Sequence, residues 1–346
     1  MNKKTRILKL DSQNPEIEGI KEAAEIIRKG QLVIFPTETV YGLGADFANP
    51  EAIQRIYQIK KRPQNRPLSV HIACREDAER LVKNPPPIFY ALSKAFWPGP
   101  LTVVLKTKER NIGLRLPDNK IAQELISESE TFLVAPSANI SGARPPVTLE
   151  EALKDLDGKV DLAIDGGRTK LTKESTVLDL SAIKPEILRQ GAIEEKELKK
   201  ILEQRRVLFV CTGNTCRSIM AEGLLKKRLS EKGIKNIRVL SAGVSAFPGL
   251  PPTRETIQVL QEEGIDVSDY RAKELTAEML KSADLIFAMQ EYHKDVILRR
   301  VPWIEQRVFV LGVADPIGRP LNIYQDYFNI IKKEMPKVLL RIKEIL

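Results

Sequence analysis

The chain is 346 residues long with a mass of 39.0 kDa, beyond the usual size of one domain, so two domains are expected. Its 42% hydrophobic and 29% charged residues suit a soluble globular protein; it has no apolar run of about 18 residues to span a membrane, and its start, MNKKTRILKLDSQNP, lacks the apolar stretch of an export signal, so cytoplasmic residence is expected. The formal charge of +9 is spread evenly, 32 basic against 28 acidic side chains in residues 1–200 and 23 against 18 in the remainder, which excludes the lopsided excess of a dedicated nucleic-acid binder and suits ordinary surface lysines or pockets for anionic small molecules.

Residues 15–30 read as an amphipathic helix ending at Gly30, and LVIFPT follows as a buried strand. The strand runs into PTETVYGLG (36–44), which packs two threonines, a glutamate and two glycines into a turn. KKRPQNRPLSVH (60–71) gathers Lys60, Lys61, Arg62, Arg66 and His71 between prolines. FWPGPLTVVL (96–105) is a rigid turn into a strand, while APSANISG (135–142) and EST (174–176) are rich in small hydroxyl and amide groups. Alone, each string is an ordinary turn or solvated face. Helix and strand signals alternate up to ILRQGAI (187–193), and IEEKELKKILEQRR (193–206) reads as a terminal helix plus linker. The expected division is a domain over 1–196, a helical linker over 197–205 and a second domain over 206–346.

At Val207 a fresh strand begins, VLFVC, followed by a loop and a helix starting near Ser218. RVLSAG, SADLIFAM and RVFVLG supply three more strands separated by helical patterns, which indicates a doubly wound parallel sheet of four strands. Two of the three cysteines, Cys211 and Cys216, share the loop CTGNTCRS, which excludes a disulfide framework. Such a loop can turn its backbone N–H groups inward and hold an anion at a helix N-terminus. Gly213 is expected to supply the positive φ of the curl. The same donors would lower the thiol pKa and make Cys211 a thiolate, with Ser218 donating to the sulfur. Arg217 can grip two phosphoryl oxygens in a planar fork, as lysine cannot. The loop thus holds a nucleophile inside a phosphate cradle.

The string CTGNTCRS with MAE, SAGV (241–244), GIDVS (264–268) and ADPIG (314–318) resembles the low-molecular-weight tyrosine phosphatase family over roughly residues 205–346. The resemblance implies that Cys211 attacks phosphorus, Arg217 clamps the phosphoryl group and Asp315 protonates the leaving group, with no metal or cofactor. Thr212, Gly213, Asn214, Thr215 and Ser218 support the loop, and Cys216 is a redox candidate able to pair with the nucleophile. Thr215 is polar where tyrosine phosphatases carry an aliphatic residue, and Ile317 and Gly318 stand where aromatics follow the Asp-Pro pair. This looks more like the protein-arginine phosphatase branch, so phosphoarginine is the first substrate expected of a phosphorylated protein and phosphotyrosine the second. Arsenate reductases share this fold but need further cysteines downstream of Cys216, and none follows.

Residues 15–195 resemble the YrdC-type threonylcarbamoyl-AMP synthase family, with the strings above in the family's order. The resemblance implies a twisted mixed α/β domain with a large concave basic pocket. There L-threonine and bicarbonate (or CO₂) form a carbamate that attacks the α-phosphate of ATP, with Mg²⁺ on the phosphates. The product, threonylcarbamoyl-AMP, passes to the tRNA-modification machinery, and tRNA itself is a candidate partner. By position in the family pattern, Lys60, Arg62, Arg66, Asn111, Ser137 and Arg189 meet ATP, while Thr39, His71, Arg115, Ala135 and Ser175 form the threonine pocket. No metal ligand is assigned among the side chains. The competing reading makes the N-terminal half an RNA-binding module and the C-terminal half a non-catalytic regulatory domain.

Overall fold

A computed structural model describes residues 4–182 and 184–346. The chain divides into two compact units: one runs to Lys199 and the other begins at Lys200, with Pro86–Ala91 grouped with the second. Glu195–Leu202 is helix, and Arg205 already belongs to the next strand.

Among the described residues, the first unit has ten strands: β1 (Arg6–Lys9), β2 (Val33–Phe35), β3 (Gly42–Asp46), β4 (Ser69–His71), β5 (Leu101–Lys106), β6 (Asn111–Arg115), β7 (Leu133–Val134), β8 (Leu162–Asp165), β9 (Thr176–Asp179) and β10 (Glu186–Arg189). They form one mixed sheet in the order β1-β8-β2-β3-β7-β4-β6-β5-β9-β10. The predicted first helix spans Ile17–Arg28, with Ile20, Ala23, Ala24 and Ile27 buried at helical spacing. Its end follows from Gly30, at φ 74°, where backbone N–H groups of Gly30 and Gln31 return to Ile27 and Ile26 carbonyls. That face packs on Val33, Phe35, Leu162 and Ile164 of the sheet and on Ile121 and Leu125 of the helix Lys120–Glu128.

The second unit is a four-stranded parallel sheet, as the alternating pattern indicates. Its strands are β11 (Arg205–Cys211), β12 (Ile237–Gly243), β13 (Leu285–Ala288) and β14 (Val308–Val310), in the order β12-β11-β13-β14. Alternation along β11 sends Val207 and Phe209 to one face, against the helices Arg217–Glu231 and Leu321–Glu344, and Leu208 and Val210 to the other, against Leu275, Leu280 and Ile297. Both faces are covered, which explains the continuous apolar run VLFV.

The sheet positions the loop after β11 through one close approach. A Cβ on Gly243 would lie 2.4 Å from the Thr212 carbonyl oxygen and 2.9 Å from the Asn214 nitrogen. Gly243 therefore lets the end of β12 pass directly beneath the Cys211 loop. Gly243→Ala is expected to destabilise the second unit by about 1–3 kcal/mol and to displace Thr212–Asn214. Urea unfolding of the full chain checks this: the transition of the second unit should move to lower denaturant while that of the first stays in place.

Candidate active sites

In the first unit, strand ends converge on a cavity of about 760 Å³. Parallel pairing of β4 with β6 sets His71 opposite Arg115, and β5, β9 and β10 close the far wall with Thr102, Ser175 and Arg189. Lys60, Arg62, Arg66, His71, Asn111, Arg115, Ala135, Ser137, Ser175 and Arg189 all line this one cavity. Thr39 does not line it but stands behind it, accepting a hydrogen bond from Arg115 Nη2 at 2.7 Å.

Lys60, just after the helix Pro50–Ile59, is 2% exposed and donates to the carbonyls of Ser137 and Asn139, the latter at 2.6 Å. Burial, helped by the charge of Arg62, lowers its pKa to about 8. Arg62 donates to the carbonyls of Arg66 and Pro67, which folds the KKRPQNRP segment over the cavity edge. Arg189 Nη2 donates to the Ser175 hydroxyl at 3.0 Å, Nη1 pairs with Glu174 at 2.5 Å, and Ser175 Oγ lies 2.9 Å from Thr102 Oγ1. Asn111 sits at the exposed rim, donating to Ser181 Oγ. Burial, with Arg115 alongside, holds His71 well below the usual histidine range, so its imidazole is neutral. Arg115 Nε, His71 Nδ1, Asn139 Oδ1 and Ser141 Oγ are buried polar atoms with no hydrogen-bond partner among the described residues. Those four residues line one cavity, and buried polar groups are ordinarily satisfied. The arrangement is built to receive a polar, anionic ligand.

In the second unit, Cys211 ends β11 and is 2% exposed. Its sulfur lies 3.0 Å from Ser218 Oγ and accepts from the Asn214 backbone N–H at 3.2 Å. The left-handed residue of the loop is Asn214, at φ 54°, and not Gly213, which corrects the expectation for that glycine. Asparagine tolerates this conformation, and here its side chain fixes it. Asn214 Nδ2 donates to Ser218 Oγ and Ser241 Oγ, both at 2.8 Å, and Oδ1 accepts from the Lys273 N–H at 2.8 Å.

Arg217 is among the most deeply buried large side chains in the protein. Its guanidinium donates to Gln290 Oε1 (2.7 Å), the Val313 carbonyl (3.3 Å), Thr212 Oγ1 (3.1 Å) and the Asp315 carboxylate. His293 Nδ1 accepts from the Gln290 N–H at 3.1 Å, which leaves the proton on Nε2, 3.0 Å from Thr212 Oγ1. Burial, then the nearby Arg217 charge, lowers the His293 pKa to about 4. Burial also pushes the Cys211 thiol up, against the pull of Ser218, Arg217 and Asn214. Burial thus works against the thiolate expected of Cys211, the direction opposite to that expected from the donors of the loop. Thr212, Gly213 and Thr215 are partly exposed at the mouth of the loop. Cys216 is buried, its sulfur 3.7 Å from the hydroxyls of Thr253 and Tyr324.

A family model described as telomere recombination, Sua5/YciO/YrdC, matches residues 25–191, and one for low-molecular-weight phosphotyrosine protein phosphatase matches residues 206–345. The threonylcarbamoyl-AMP synthase of Pyrococcus abyssi is 41% identical over 215 residues, covering 59% of this chain and 63% of that protein. A putative threonylcarbamoyl-AMP synthase of Methanocaldococcus jannaschii is 34% identical over 212 residues, 58% of this chain and 100% of its own. The probable low-molecular-weight protein-tyrosine-phosphatase EpsP of Ralstonia nicotianae is 33% identical over 147 residues, 41% of this chain and 98% of its own. The chain belongs to both families. Its first unit is a threonylcarbamoyl-AMP synthase family member and its second a low-molecular-weight phosphatase family member. The crystal structure of P. abyssi Sua5 complexed with L-threonine superposes with a TM-score of 0.56 at 28% identity, covering 88% of this chain and 99% of that one. The chain spans 63% of the P. abyssi protein and 58% of the Bacillus subtilis synthase.

Sequence reasoning missed several residues of both units. In the synthase-family unit, Glu38 forms a buried ion pair with Arg115 at 2.8 Å, although the string PTETVYGLG pointed to that turn. Asn139 and Ser141, in the string APSANISG, also line the cavity. In the phosphatase-family unit, Gln290 and His293 hold Arg217 and Thr212 from a helix with no motif of its own, and Ser241 lay unremarked inside SAGV.

Proposed function

We propose that the first unit makes threonylcarbamoyl-AMP from L-threonine, bicarbonate and ATP for tRNA modification, and that the second unit is a cysteine-dependent protein phosphatase. The observation that carries the first reading is the convergence of ten candidate residues from five separate stretches of sequence on one cavity with unsatisfied buried donors and acceptors. The threonine amine attacks the carbon of bicarbonate with loss of water, and the resulting carbamate oxygen attacks the α-phosphorus. The bond to pyrophosphate breaks and pyrophosphate leaves. No protein nucleophile is needed; the work is to hold two anions together, which calls for fixed cations and donors. Lys60, Arg62 and Arg189 supply charge to ATP, with Arg66, Asn111 and Ser137 at its edge. Arg115, oriented by Glu38 and Thr39, takes the threonine carboxylate, and neutral His71 and Ser175 offer hydrogen bonds beside Ala135. Among the described residues no group of three His, Cys, Asp or Glu side chains could hold a metal. Mg²⁺ is assigned to the ATP phosphates as a companion of the substrate, as the family resemblance implies.

The threonylcarbamoyl-AMP synthases among the relatives support this activity, as does the threonine bound to P. abyssi Sua5. Its test is pyrophosphate release that requires threonine, bicarbonate and ATP together; threonine-independent ATP hydrolysis would speak against it. A pH dependence follows from Lys60. ATP prefers the charged lysine, so affinity should be full below pH 8 and fall as the pH rises above about 8. In Lys60→Arg this limb should vanish, since arginine stays charged. ATP dissociation constants between pH 7 and 9.5 read the effect.

For the second unit, an incoming phosphoryl group displaces Asp315 from Arg217. The Asp315 carboxylate, released from Arg217, takes the proton of the Cys211 thiol; the sulfur attacks phosphorus, the bond to the leaving group breaks, and Asp315 delivers that proton to the leaving group. Water hydrolyses the phosphocysteine. Thr215 at the mouth of the loop, and the lack of aromatics after Pro316, favour phosphoarginine over phosphotyrosine. Thr215→Ile is expected to shift the kcat/KM ratio toward phosphotyrosine by about tenfold or more, measured on paired phosphopeptides. A wild type that prefers phosphotyrosine, together with an unchanged ratio in the variant, would end the arginine assignment. We place the boundary between the activities within residues 197–205. Among the described residues no helix is long and apolar enough to cross a membrane.

A further inference from the structure

We propose that Thr212 donates its hydroxyl hydrogen directly to the phosphoryl group held by Arg217, and that His293, buried out of reach of any substrate, is the positioning residue that aims it. Of the four Nη hydrogens of Arg217, three are committed within the protein. Nη1 donates to Gln290 Oε1 at 2.7 Å and to the Val313 carbonyl at 3.3 Å, and Nη2 donates to Thr212 Oγ1 at 3.1 Å. The fourth, on Nη2, meets the Asp315 carboxylate and is the one that an incoming phosphoryl oxygen takes over. One such hydrogen is a thin supply for a group with three charged oxygens, so a further donor beside Nη2 matters.

The Thr212 hydroxyl has one hydrogen and two lone pairs. Arg217 Nη2 donates to one lone pair. His293 Nε2, 3.0 Å away, donates to the other, because His293 Nδ1 is the acceptor of the Gln290 N–H at 3.1 Å. With both lone pairs spent, the hydroxyl hydrogen has to point elsewhere. Among the described residues no hydrogen bond uses it, and Thr212 is partly exposed at the mouth of the loop. A phosphoryl oxygen that replaces the Asp315 carboxylate therefore receives two hydrogens, one from Nη2 and one from Thr212. His293 lies in the first turn of the helix Glu291–Arg300, which Gln290 caps, so a single helix start fixes Arg217 through Gln290 Oε1 and Thr212 through His293. The Cys211 side of the loop is held separately: Asn214 donates to Ser218 and Ser241, and its Oδ1 lies 3.4 Å from Tyr270 OH. None of those contacts passes through His293.

This inference rests on the phosphatase reading of the second unit, but its test does not need turnover. Inorganic phosphate is the probe. The concentration that half-protects Cys211 from iodoacetamide at pH 7, with the label located by tandem mass spectrometry on the full chain, reads occupancy of this loop alone. Thr212→Val should raise that concentration at least about tenfold, the loss of one hydrogen bond to a charged group, while Thr212→Ser stays within about threefold of wild type. Two variants of His293 separate aiming from mere support of the helix start. His293→Asn keeps an acceptor near the Nδ1 position for the Gln290 N–H but loses the donor to Thr212, and should weaken protection about fivefold or more. His293→Gln, whose amide nitrogen reaches the Nε2 position, should restore most of it. Thr212→Val/His293→Asn should be no weaker than Thr212→Val alone, since His293 acts only through that hydroxyl. Wild-type protection in Thr212→Val or in His293→Asn, or losses that add in the double variant, would overturn the proposal. The expected pattern in a protein that fails to turn over p-nitrophenyl phosphate would leave the Thr212–His293 pair standing and count against the phosphatase reading alone.

Discussion

Cys211→Ser is expected to lower p-nitrophenyl phosphate turnover by about 10,000-fold or more while leaving phosphate binding largely intact. The loop offers no second activated nucleophile: Thr212 is tied to Arg217 and His293, the Thr215 hydroxyl lies 3.6 Å from the Cys216 sulfur, and Cys216 is itself buried against Thr253 and Tyr324. Arg217→Lys should behave differently. Its planar fork serves Gln290, Val313, Thr212 and Asp315 at once, which a lysine cannot match. Losing about 2–4 kcal/mol of charge-assisted bonding should weaken both phosphate binding and turnover by 100-fold or more. Competition by inorganic phosphate, measured beside turnover, separates the two variants: unchanged phosphate affinity in Arg217→Lys would remove the arginine from the cradle.

Arg115→Met is the second large effect. Arg115 and Glu38 are 5% and 2% exposed at the side chain and pair at 2.8 Å. Removing one partner leaves a buried carboxylate without its cation, which costs about 3–5 kcal/mol of stability. The further change Glu38→Leu should recover most of that loss, because the isolated charge goes with it. Threonine-dependent pyrophosphate release should stay absent in both proteins, since no cation remains for the threonine carboxylate. Chemical denaturation and the pyrophosphate assay together decide the matter. A double variant that regains activity with stability would show the pair to be structural only.

The two sites differed in how much the sequence disclosed. The second was legible because its nucleophile, cradle and clamp sit within eight residues, Cys211 to Ser218, between a strand and a helix whose patterns are plain. What stayed hidden came from elsewhere in the chain: Gln290, His293, Ser241 and Tyr270 reach the loop only because parallel strands bring their ends to one edge. The left-handed residue was misplaced because glycine permits that conformation generally, whereas Asn214 is driven into it by three side-chain bonds that spacing cannot display. In the first unit the strings were individually ordinary. Their convergence depends on the β7-β4-β6-β5-β9-β10 order, with strands far apart in sequence lying side by side, so resemblance supplied what periodicity could not. Glu38 escaped for a related reason. An acidic residue in a turn is usually solvated, and only β6, arriving from 77 positions later with Arg115, makes it a buried partner.

Two independent phosphoryl-handling sites on one chain are tested most directly by pyrophosphate release from ATP, threonine and bicarbonate, assayed on the full-length protein, on Lys60→Ala and on Cys211→Ser. Release should need all three substrates, vanish in Lys60→Ala and proceed at the wild-type rate in Cys211→Ser. Release that ignores threonine, survives loss of Lys60 or stops with loss of Cys211 would contradict the account.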